Sequence, residues 1–227
     1  MDLRHDFEHT GGVLFRWRSA LPFGLAGFVL IALRDYRHLG ENGRFDGLWE
    51  AFCLAVGFFG LGIRAVTVGH CPKHTSGRNS KHQRAARLNT TGMYSIVRHP
   101  LYLGNFFMGL GVTLFFHDLF VTMVYVLAFG LYYERIMFAE EAFLRERYGD
   151  KFLAWATTTP AFIPRPRNWT PPDLPFSVRS VLRREYSGFF NLIVFLFIFE
   201  FLGDWFADGR VGVDPIWAVL VALAVTV

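Results

Sequence analysis

Charged residues that could carry chemistry stand at the ends of two successive apolar segments. Arg98 and His99 precede the apolar segment that begins at Pro100, and the paired acids Glu140 and Glu141 follow the next one. Ionisable residues at the end of a membrane helix cost free energy, so they usually mark a functional site. Two acids facing an Arg-His pair can hold a zwitterionic ligand. The acids would meet an ammonium or sulfonium group, and the cationic side would meet a carboxylate or phosphate.

The residues around the Arg-His pair predict a turn that leads into a helix. Residues 90–92, Thr-Thr-Gly, are typical of a helix start, because hydroxyl side chains cap free amides and glycine permits unusual dihedral angles. Tyr94, Arg98 and Tyr102 follow at intervals of four, which predicts one helical face.

The apolar segment after the pair begins with two informative residues. Pro100 suits the first turn of a helix, where its missing amide donor costs little. Gly104, one turn later, would allow a flat group or another backbone to approach closely. Each charged residue alone has a plainer interpretation, with Arg98 as an interfacial anchor and His99 as a core histidine, but their order and spacing together favour a site.

The composition indicates an integral membrane protein. The chain has 227 residues, 52% of them hydrophobic, with 26 Phe and 6 Trp, which is more aromatic surface than a soluble domain needs. Between Glu50 and Asp118 there are seven Lys and Arg residues but no acid. Because this block lies between apolar segments, it favours cytoplasmic retention and anionic lipid headgroups over nucleic acid. Cys53 and Cys71 lack metal-ligand spacing, so no metal site is predicted.

The apolar segments predict an all-α, polytopic membrane protein with about six transmembrane helices. The candidate segments are 17–33, 48–68, 101–116, 119–138, 189–206 and 213–227. His117 and Asp118 alone separate the third from the fourth, which predicts an antiparallel helical hairpin. Repeated prolines predict an irregular cap over 160–175, followed by an amphipathic helix around 178–186.

The distribution of Lys and Arg predicts the orientation. Most of these residues fall in segments 69–100 and 139–188, which should therefore be cytoplasmic. The candidate site would then face the cytosol, and six spans would place both termini there.

Several motifs resemble the isoprenylcysteine carboxyl methyltransferase and phospholipid methyltransferase superfamily. They are Thr91-Gly92-Met93-Tyr94, Arg98-His99-Pro100-Leu101-Tyr102-Leu103-Gly104, Glu140-Glu141 with Leu144, Tyr148-Gly149 and Phe162-Ile163-Pro164. The resemblance implies that a helical hairpin and its cytoplasmic cap enclose S-adenosylmethionine while a lipid substrate enters from the bilayer. It divides the chain into N-terminal membrane helices (1–69), a methyltransferase core (70–168) and a C-terminal part with an amphipathic helix and two membrane helices (169–227).

The resemblance also implies roles for individual residues. The cofactor contacts, with Gly104 added from its spacing, are Leu88, Asn89, Tyr94, His99, Pro100, Tyr102, Gly104, Glu140 and Glu141. We expect Arg98, His99 and Glu140 to be catalytic. By their charge Arg78, Lys81 and Arg98 would suit a phosphate headgroup, and Arg135, one position from an arginine that contacts the substrate in relatives, joins them as a substrate contact. The chain departs from the carboxyl methyltransferase pattern at Ala86, where the family has histidine, and at Ile136, where it has arginine.

The acceptor is predicted to be a lipid headgroup phosphate. Segments 75–79 and 89–95 look like a bacterial subgroup that methylates the 1-phosphate of lipid A, which would place the protein in the inner (cytoplasmic) membrane. A phosphate oxygen is already anionic near neutral pH and needs no base. The alternatives are carboxyl or phospholipid N-methylation, an NADPH-dependent reductase of the sterol or enoyl type with a similar Arg-His-Pro-x-Tyr segment, and a transporter. The predicted partners are a lipid substrate and the bilayer, with a monomer or homodimer and no nucleic acid.

Overall fold

The computed structural model describes residues 3–17, 46–72, 87–209 and 215–226, and within these ranges the regular elements are helical. The eight α-helices there are α1 (Leu3–Trp17), α2 (Asp46–Gly69), α3 (Met93–Ile96), α4 (Pro100–Leu114), α5 (Leu119–Tyr148), α6 (Asp150–Thr158), α7 (Val178–Asp208) and α8 (Pro215–Thr226). A 3-10 turn at Pro166–Asn168 interrupts the long connection between α6 and α7. The all-α prediction is confirmed for these residues.

Three of these helices are long and apolar enough to cross a membrane. They are α2, α5 and the part of α7 that ends at Phe206, whereas α4 and α8 are apolar but shorter. The three agree with the predicted segments 48–68, 119–138 and 189–206. The predicted first segment lies outside the described residues apart from Trp17, which ends α1. A total of six spans and a cytoplasmic position for the cap stay predictions.

The helix α7 is longer than the sequence suggested. The amphipathic stretch 178–186 and the apolar stretch 189–206 form one continuous helix in the structure. The residues between them include Gly188 but no proline, and an interior glycine costs a helix only about 1 kcal/mol. The helix therefore continues from the polar stretch into the apolar one.

The chain divides into two compact units, of which the first holds the charged cluster. This unit comprises Met1–Leu21, Ile63–Leu103 and Ala128–Val181. Within it, α1 packs closely on α5, because a side chain at Gly11 would collide with the carbonyl oxygen of Arg135. The hydroxyl of Tyr132 donates to the carbonyl oxygen of Leu14 at 2.7 Å. This contact fixes the α1 backbone against the part of α5 just before the paired acids.

The second unit comprises Pro22–Gly62, Gly104–Leu127 and Leu182–Val227. Among its described residues, the buried core includes Cys53, Phe115, Phe116, Val121, Leu192, Leu196, Phe199 and Trp217. The helices α2 and α4 meet backbone to backbone, since a Cβ added at Gly60 would lie 2.5 Å from the carbonyl oxygen of Gly104. The carbonyl oxygen of Gly104 thus lies against the backbone of another helix, while the predicted contact of Gly104 with a cofactor stays a prediction.

The predicted hairpin of α4 and α5 is also confirmed within the second unit. The turn places His117 at a φ of 56°. The carboxylate of Asp118 accepts the backbone N–H of Phe120 at 2.7 Å and so caps α5. The hydroxyl of Tyr125 donates to the carbonyl oxygen of Phe106 at 2.8 Å, which joins the two antiparallel helices.

Candidate active site

The Arg-His pair lies in a break between two helices. The short helix α3 ends at Val97, whose extended backbone (φ −153°, ψ 138°) interrupts the helical path before α4 begins at Pro100. Tyr94, Arg98 and Tyr102 therefore do not share one helical face, and that sequence prediction is wrong. The position of Pro100 at the first turn of α4 is confirmed.

Backbone hydrogen bonds to the segment after α6 hold this break in place. The N–H groups of Arg98 and His99 donate to the carbonyl oxygens of Pro160 and Ala161, at 2.9 and 3.2 Å. In the reverse direction, the N–H of Arg165 donates to the carbonyl oxygen of Ile96 at 2.9 Å. These bonds stabilise an extended backbone, which projects the side chains of Arg98 and His99 from a fixed base.

Both paired acids at the end of α5 contact the imidazole of His99. Its Nε2 lies 3.0 Å from Oε1 of Glu141, and its Nδ1 lies 3.5 Å from Oε2 of Glu140. The histidine side chain is only 5% exposed, whereas that of Glu140 is 32% exposed. A ligand could therefore reach Glu140 while the imidazole stays covered.

The two carboxylates favour the charged form of His99. Burial of the imidazole lowers its pKa, but the hydrogen bonds to Glu140 and Glu141 and their negative charges outweigh burial, so the pKa lies above its ordinary value of 6.5. A protonated imidazole can donate from both nitrogens, one to each acid. This arrangement leaves His99 poorly suited to remove a proton from a substrate.

Most of the hydrogen-bonding capacity of Arg98 is used within the protein. Its Nε and Nη2 donate to the two carboxylate oxygens of Glu141, at 2.8 and 3.2 Å. Its Nη1 donates to the carbonyl oxygens of Ala156 and Thr159, both at 2.7 Å. Four of the five N–H donors of the guanidinium are thus engaged. The side chain therefore fixes the orientation of the Glu141 carboxylate and caps the carboxyl end of α6.

Aromatic rings pack beside the imidazole. Tyr102 stacks on His99 with ring centroids 5.6 Å apart and an interplanar angle of 11°. Tyr133 lies 4.8 Å from Tyr102, and Phe129 stacks on Tyr133 at 4.0 Å. These three rings are each less than 9% exposed, so they exclude water from one side of His99.

An open cleft lies in the same unit. About 380 Å³ of empty space lies in and in front of it, a volume that includes open solvent. The cleft is lined by Thr67, His70, Cys71, Pro72, Arg87, Leu88, Asn89, Thr91, Met93, Tyr94, Asp173 and Leu174. Three residues predicted to contact the cofactor, Leu88, Asn89 and Tyr94, are among them. The side chains of His70, Cys71 and Asp173 were not anticipated, since they lie outside the recognised motifs.

Of the four predicted substrate contacts, the structure describes Arg98 and Arg135. Arg78 and Lys81 lie outside the described residues. Arg135 is directed toward α1, where its guanidinium lies 5.0 Å from the ring centroid of Phe7. The next residue, Ile136, is fully buried.

The helix start before the site differs from the expected cap. Gly92 has a φ of 60°, so the predicted need for glycine is confirmed, but no side chain caps α3. The hydroxyl of Thr91 instead accepts the N–H of Asp173 at 3.4 Å. The hydroxyl group thus fastens a distant loop rather than the helix.

Comparison with known proteins identifies the family. The model of the phospholipid methyltransferase family matches residues 72–151. The nickel-cobalt-cadmium resistance protein NccN of Alcaligenes xylosoxydans xylosoxydans is 36% identical over 155 residues, which are 67% of each chain. The protein-S-isoprenylcysteine O-methyltransferase of Schizosaccharomyces pombe is 32% identical over 117 residues, 48% of each chain. The chain belongs to the isoprenylcysteine carboxyl and phospholipid methyltransferase superfamily.

A further relative extends the match within this superfamily. The cobalt-zinc-cadmium resistance protein CzcN of Cupriavidus metallidurans is 35% identical over 161 residues, which cover 70% of this chain and 65% of the relative. The matched region thus spans about two thirds of the length of both metal-resistance proteins. No solved structure matches. Within the described ranges, no group of three His, Cys, Asp or Glu side chains is placed to hold a metal ion.

Proposed function

We propose that this protein transfers a methyl group from S-adenosylmethionine to a membrane lipid. The observation that carries the proposal is the convergence of Glu140 and Glu141 on the buried imidazole of His99, in a member of a methyltransferase superfamily. Clusters of largely buried ionisable groups with perturbed pKa values are concentrated at functional sites, which supports the proposal.

The charge cluster suits a cationic methyl donor. S-adenosylmethionine supplies an electrophilic methyl group on a positively charged sulfur. The partly exposed carboxylate of Glu140 would attract the positive end of this ligand, while Glu141 is held by Arg98. Methyl transfer requires mainly that donor and acceptor be aligned and that water be excluded. The rings of Tyr102 and Tyr133 would help to exclude it.

Arg98 and His99 then act as positioning residues. The guanidinium of Arg98 has four of its donors engaged within the protein, so it would fix Glu141 rather than bind a phosphate. His99 would fix the relative orientation of both acids. Binding of the acceptor would fall to other cations, for which Arg78 and Lys81 stay the candidates.

The acceptor that fits this site best is an oxygen that is already anionic. A thiol or amine must lose a proton, whereas His99 has both ring nitrogens directed at carboxylates. A phosphate oxygen needs no base near neutral pH. We therefore propose O-methylation of a lipid headgroup phosphate, with the 1-phosphate of lipid A as the specific candidate. Methylation of a lipid carboxylate remains the alternative that also needs no base.

Methyl transfer can be tested with the purified protein in lipid nanodiscs. Wild type should transfer radiolabel from methyl-labelled S-adenosylmethionine to extracted lipid, and Glu140→Gln should lose about 100-fold or more in rate, as for a residue that contacts the reacting ligand. Glu134→Gln is the matched control, since Glu134 lies on the same helix but is exposed. Near-wild-type transfer by Glu140→Gln would refute the role of this acid. A thermal shift with NADPH and none with S-adenosylmethionine would favour a reductase.

The metal-resistance relatives suggest a physiological setting. Methylation turns a phosphate monoester, with a charge near −2, into a diester with a charge near −1. We propose that this change weakens the attraction of the membrane surface for divalent cations. Cells that lack the gene should become more sensitive to cobalt or cadmium, and wild type but not Glu140→Gln should restore growth. Equal restoration by both would separate metal tolerance from methyl transfer.

We also propose that the protein lies in the inner membrane with the candidate site on the cytosolic side. The basic segments 69–100 and 139–188 support this orientation. Cys71 follows α2 on the side of the site, whereas Cys53 is buried. A maleimide that cannot cross membranes should label Cys71 in inverted membrane vesicles but not in intact spheroplasts, and the reverse pattern would contradict the orientation.

A further inference from the structure

The open cleft is lined in part by residues on either side of the segment that the family model matches, and two of them follow that segment. The family match ends at residue 151, whereas Asp173 and Leu174 line the cleft together with Leu88, Asn89 and Tyr94. Asp173 and Leu174 belong to the irregular segment 169–177, here called the strap. The residues of the strap belong neither to the sequence motifs nor to the charge cluster.

The strap is docked by hydrogen bonds at both ends. Near its start, the N–H of Gly92 donates to the carbonyl oxygen of Thr170 at 2.9 Å. At its end, the N–H of Ser177 donates to the carbonyl oxygen of Gly69 at 2.9 Å. Between these points Nδ1 of His70 lies 2.7 Å from the carbonyl oxygen of Leu174. Hydrogen bonds to the backbone of the strap therefore hold this side of the cleft in position.

One carboxylate stands at the edge of this cleft. Oδ2 of Asp173 accepts a hydrogen bond from Nη2 of Arg87 at 2.7 Å, and the two side chains are 47% and 59% exposed. Because the ion pair is solvated, it is weak and can open at little cost. Within the described part of the chain, this bond engages Oδ2 of Asp173. Oδ1 can therefore accept a hydrogen bond from a ligand.

The chemistry of the lining matches a nucleoside. Leu88, Met93 and Leu174 offer apolar surface and Tyr94 offers an aromatic ring, all of which suit a flat base. A carboxylate is the usual partner of a ribose diol, because two acceptor oxygens can receive two adjacent hydroxyl donors. The short path from Tyr94 to His99 is at most about 17 Å of chain, so the cleft and the charge cluster lie within reach of one ligand.

We infer that Asp173 binds the ribose diol of the nucleoside part of the methyl donor in this cleft, and that Arg87 holds the carboxylate in place until the ligand arrives. This inference rests on the proposed function, and it adds a recognition residue that lies outside the shared family segment. Asp173 is a binding residue in this proposal, and Arg87 is its positioning partner.

The inference can be tested by calorimetric binding of two ligands that undergo no turnover. These are S-adenosylhomocysteine and its 2′,3′-dideoxy analogue, measured with wild type, Asp173→Asn and Arg87→Gln in detergent. Wild type should bind the dideoxy analogue about 10–100-fold more weakly than S-adenosylhomocysteine, as expected for lost hydrogen bonds to a charged group. Asp173→Asn should bind S-adenosylhomocysteine more weakly by a similar factor and should discriminate little between the two ligands.

Arg87→Gln is the control for a purely structural effect. It removes the same ion pair but keeps the carboxylate, so it should still discriminate between the two ligands. If Asp173→Asn keeps the full discrimination of wild type, the carboxylate does not contact the ribose and the inference is overturned. If wild type binds neither ligand while folded, the proposed function itself fails, which is a distinct result.

Discussion

Nε2 of His99 lies 3.0 Å from Oε1 of Glu141, although the two residues are 42 positions apart in sequence. The same carboxylate also accepts two hydrogen bonds from Arg98. Together with Glu140 these side chains form a row of alternating charge, from the guanidinium through one acid and the imidazole to the second acid. Each charge in such a row is stabilised by its neighbours, which makes the row sensitive to the loss of any member.

The first prediction concerns Arg98. Replacing it with alanine removes bonds to Glu141, Ala156 and Thr159, so we expect a loss of about 3–5 kcal/mol in the free energy of unfolding, as for a broken, largely buried pair. Methyl transfer should be abolished because Glu141 is no longer fixed. Thermal unfolding in detergent and the radiolabel assay would measure the two effects, with exposed Arg145→Ala as the control.

A second variant separates positioning from phosphate binding at the same residue. Arg98→Lys keeps the positive charge but cannot form the forked bond to Glu141. If Arg98 bound the acceptor phosphate, this change would chiefly raise KM for the lipid. We expect instead weaker binding of S-adenosylhomocysteine, and unchanged binding would argue against the positioning role.

The second prediction concerns pH. The pKa of His99 is raised in the folded protein, so folding favours the protonated imidazole. This stabilisation is complete below the unfolded pKa of about 6.5 and is lost as the pH rises through the higher, folded pKa. Apparent Tm should therefore fall as the pH is raised above about 6.5, and His99→Gln should show a flatter dependence. If Tm depends on pH in the same way for wild type and His99→Gln, the charged imidazole does not stabilise the fold as predicted.

The third prediction compares two glycines of similar backbone conformation. Gly92 (φ 60°) and Gly149 (φ 52°) both lie in the region that favours glycine, so alanine should cost about 1–3 kcal/mol at either. A Cβ at Gly92 would also lie 3.3 Å from Cβ of Pro172 in the strap, whereas one at Gly149 would meet nothing within 4 Å.

Hydrogen-deuterium exchange can distinguish the two effects of these substitutions. Gly92→Ala should raise exchange across residues 169–177, because the strap must shift to admit the methyl group. Gly149→Ala should leave that segment as protected as in wild type while lowering apparent Tm. Equal protection of the strap in both variants would show that Pro172 yields without undocking it.

Much of the charge cluster could be predicted from the sequence. The Arg-His pair and the acid pair were expected to converge because each ends one arm of a helical hairpin, and the hairpin is present. The break at Val97 could not be predicted from the spacing of Tyr94, Arg98 and Tyr102. Hydrogen bonds that Arg98 and His99 donate to the carbonyl oxygens of the remote residues Pro160 and Ala161 stabilise it, and no local pattern reports such bonds.

The cleft and the strap were harder to predict. Prolines correctly indicated an irregular backbone over 160–175. The strap is joined to Gly69 and Gly92 by single hydrogen bonds, and such bonds leave no periodic pattern in the sequence. Asp173 lies between prolines and leucine, a context typical of any surface loop. The only available signal was its position after the family motif at residues 162–164.

The backbone hydrogen bonds that join residues 96–99 to Pro160, Ala161 and Arg165 have a consequence for protein engineering. A fragment excised at the borders of the family match, residues 72–151, would contain Arg98, His99 and both acids but would lack the carbonyl groups that anchor them. Grafting that fragment onto another membrane scaffold would transfer the charged side chains without the backbone that positions them. The smallest portable form of this charge cluster must extend past Arg165.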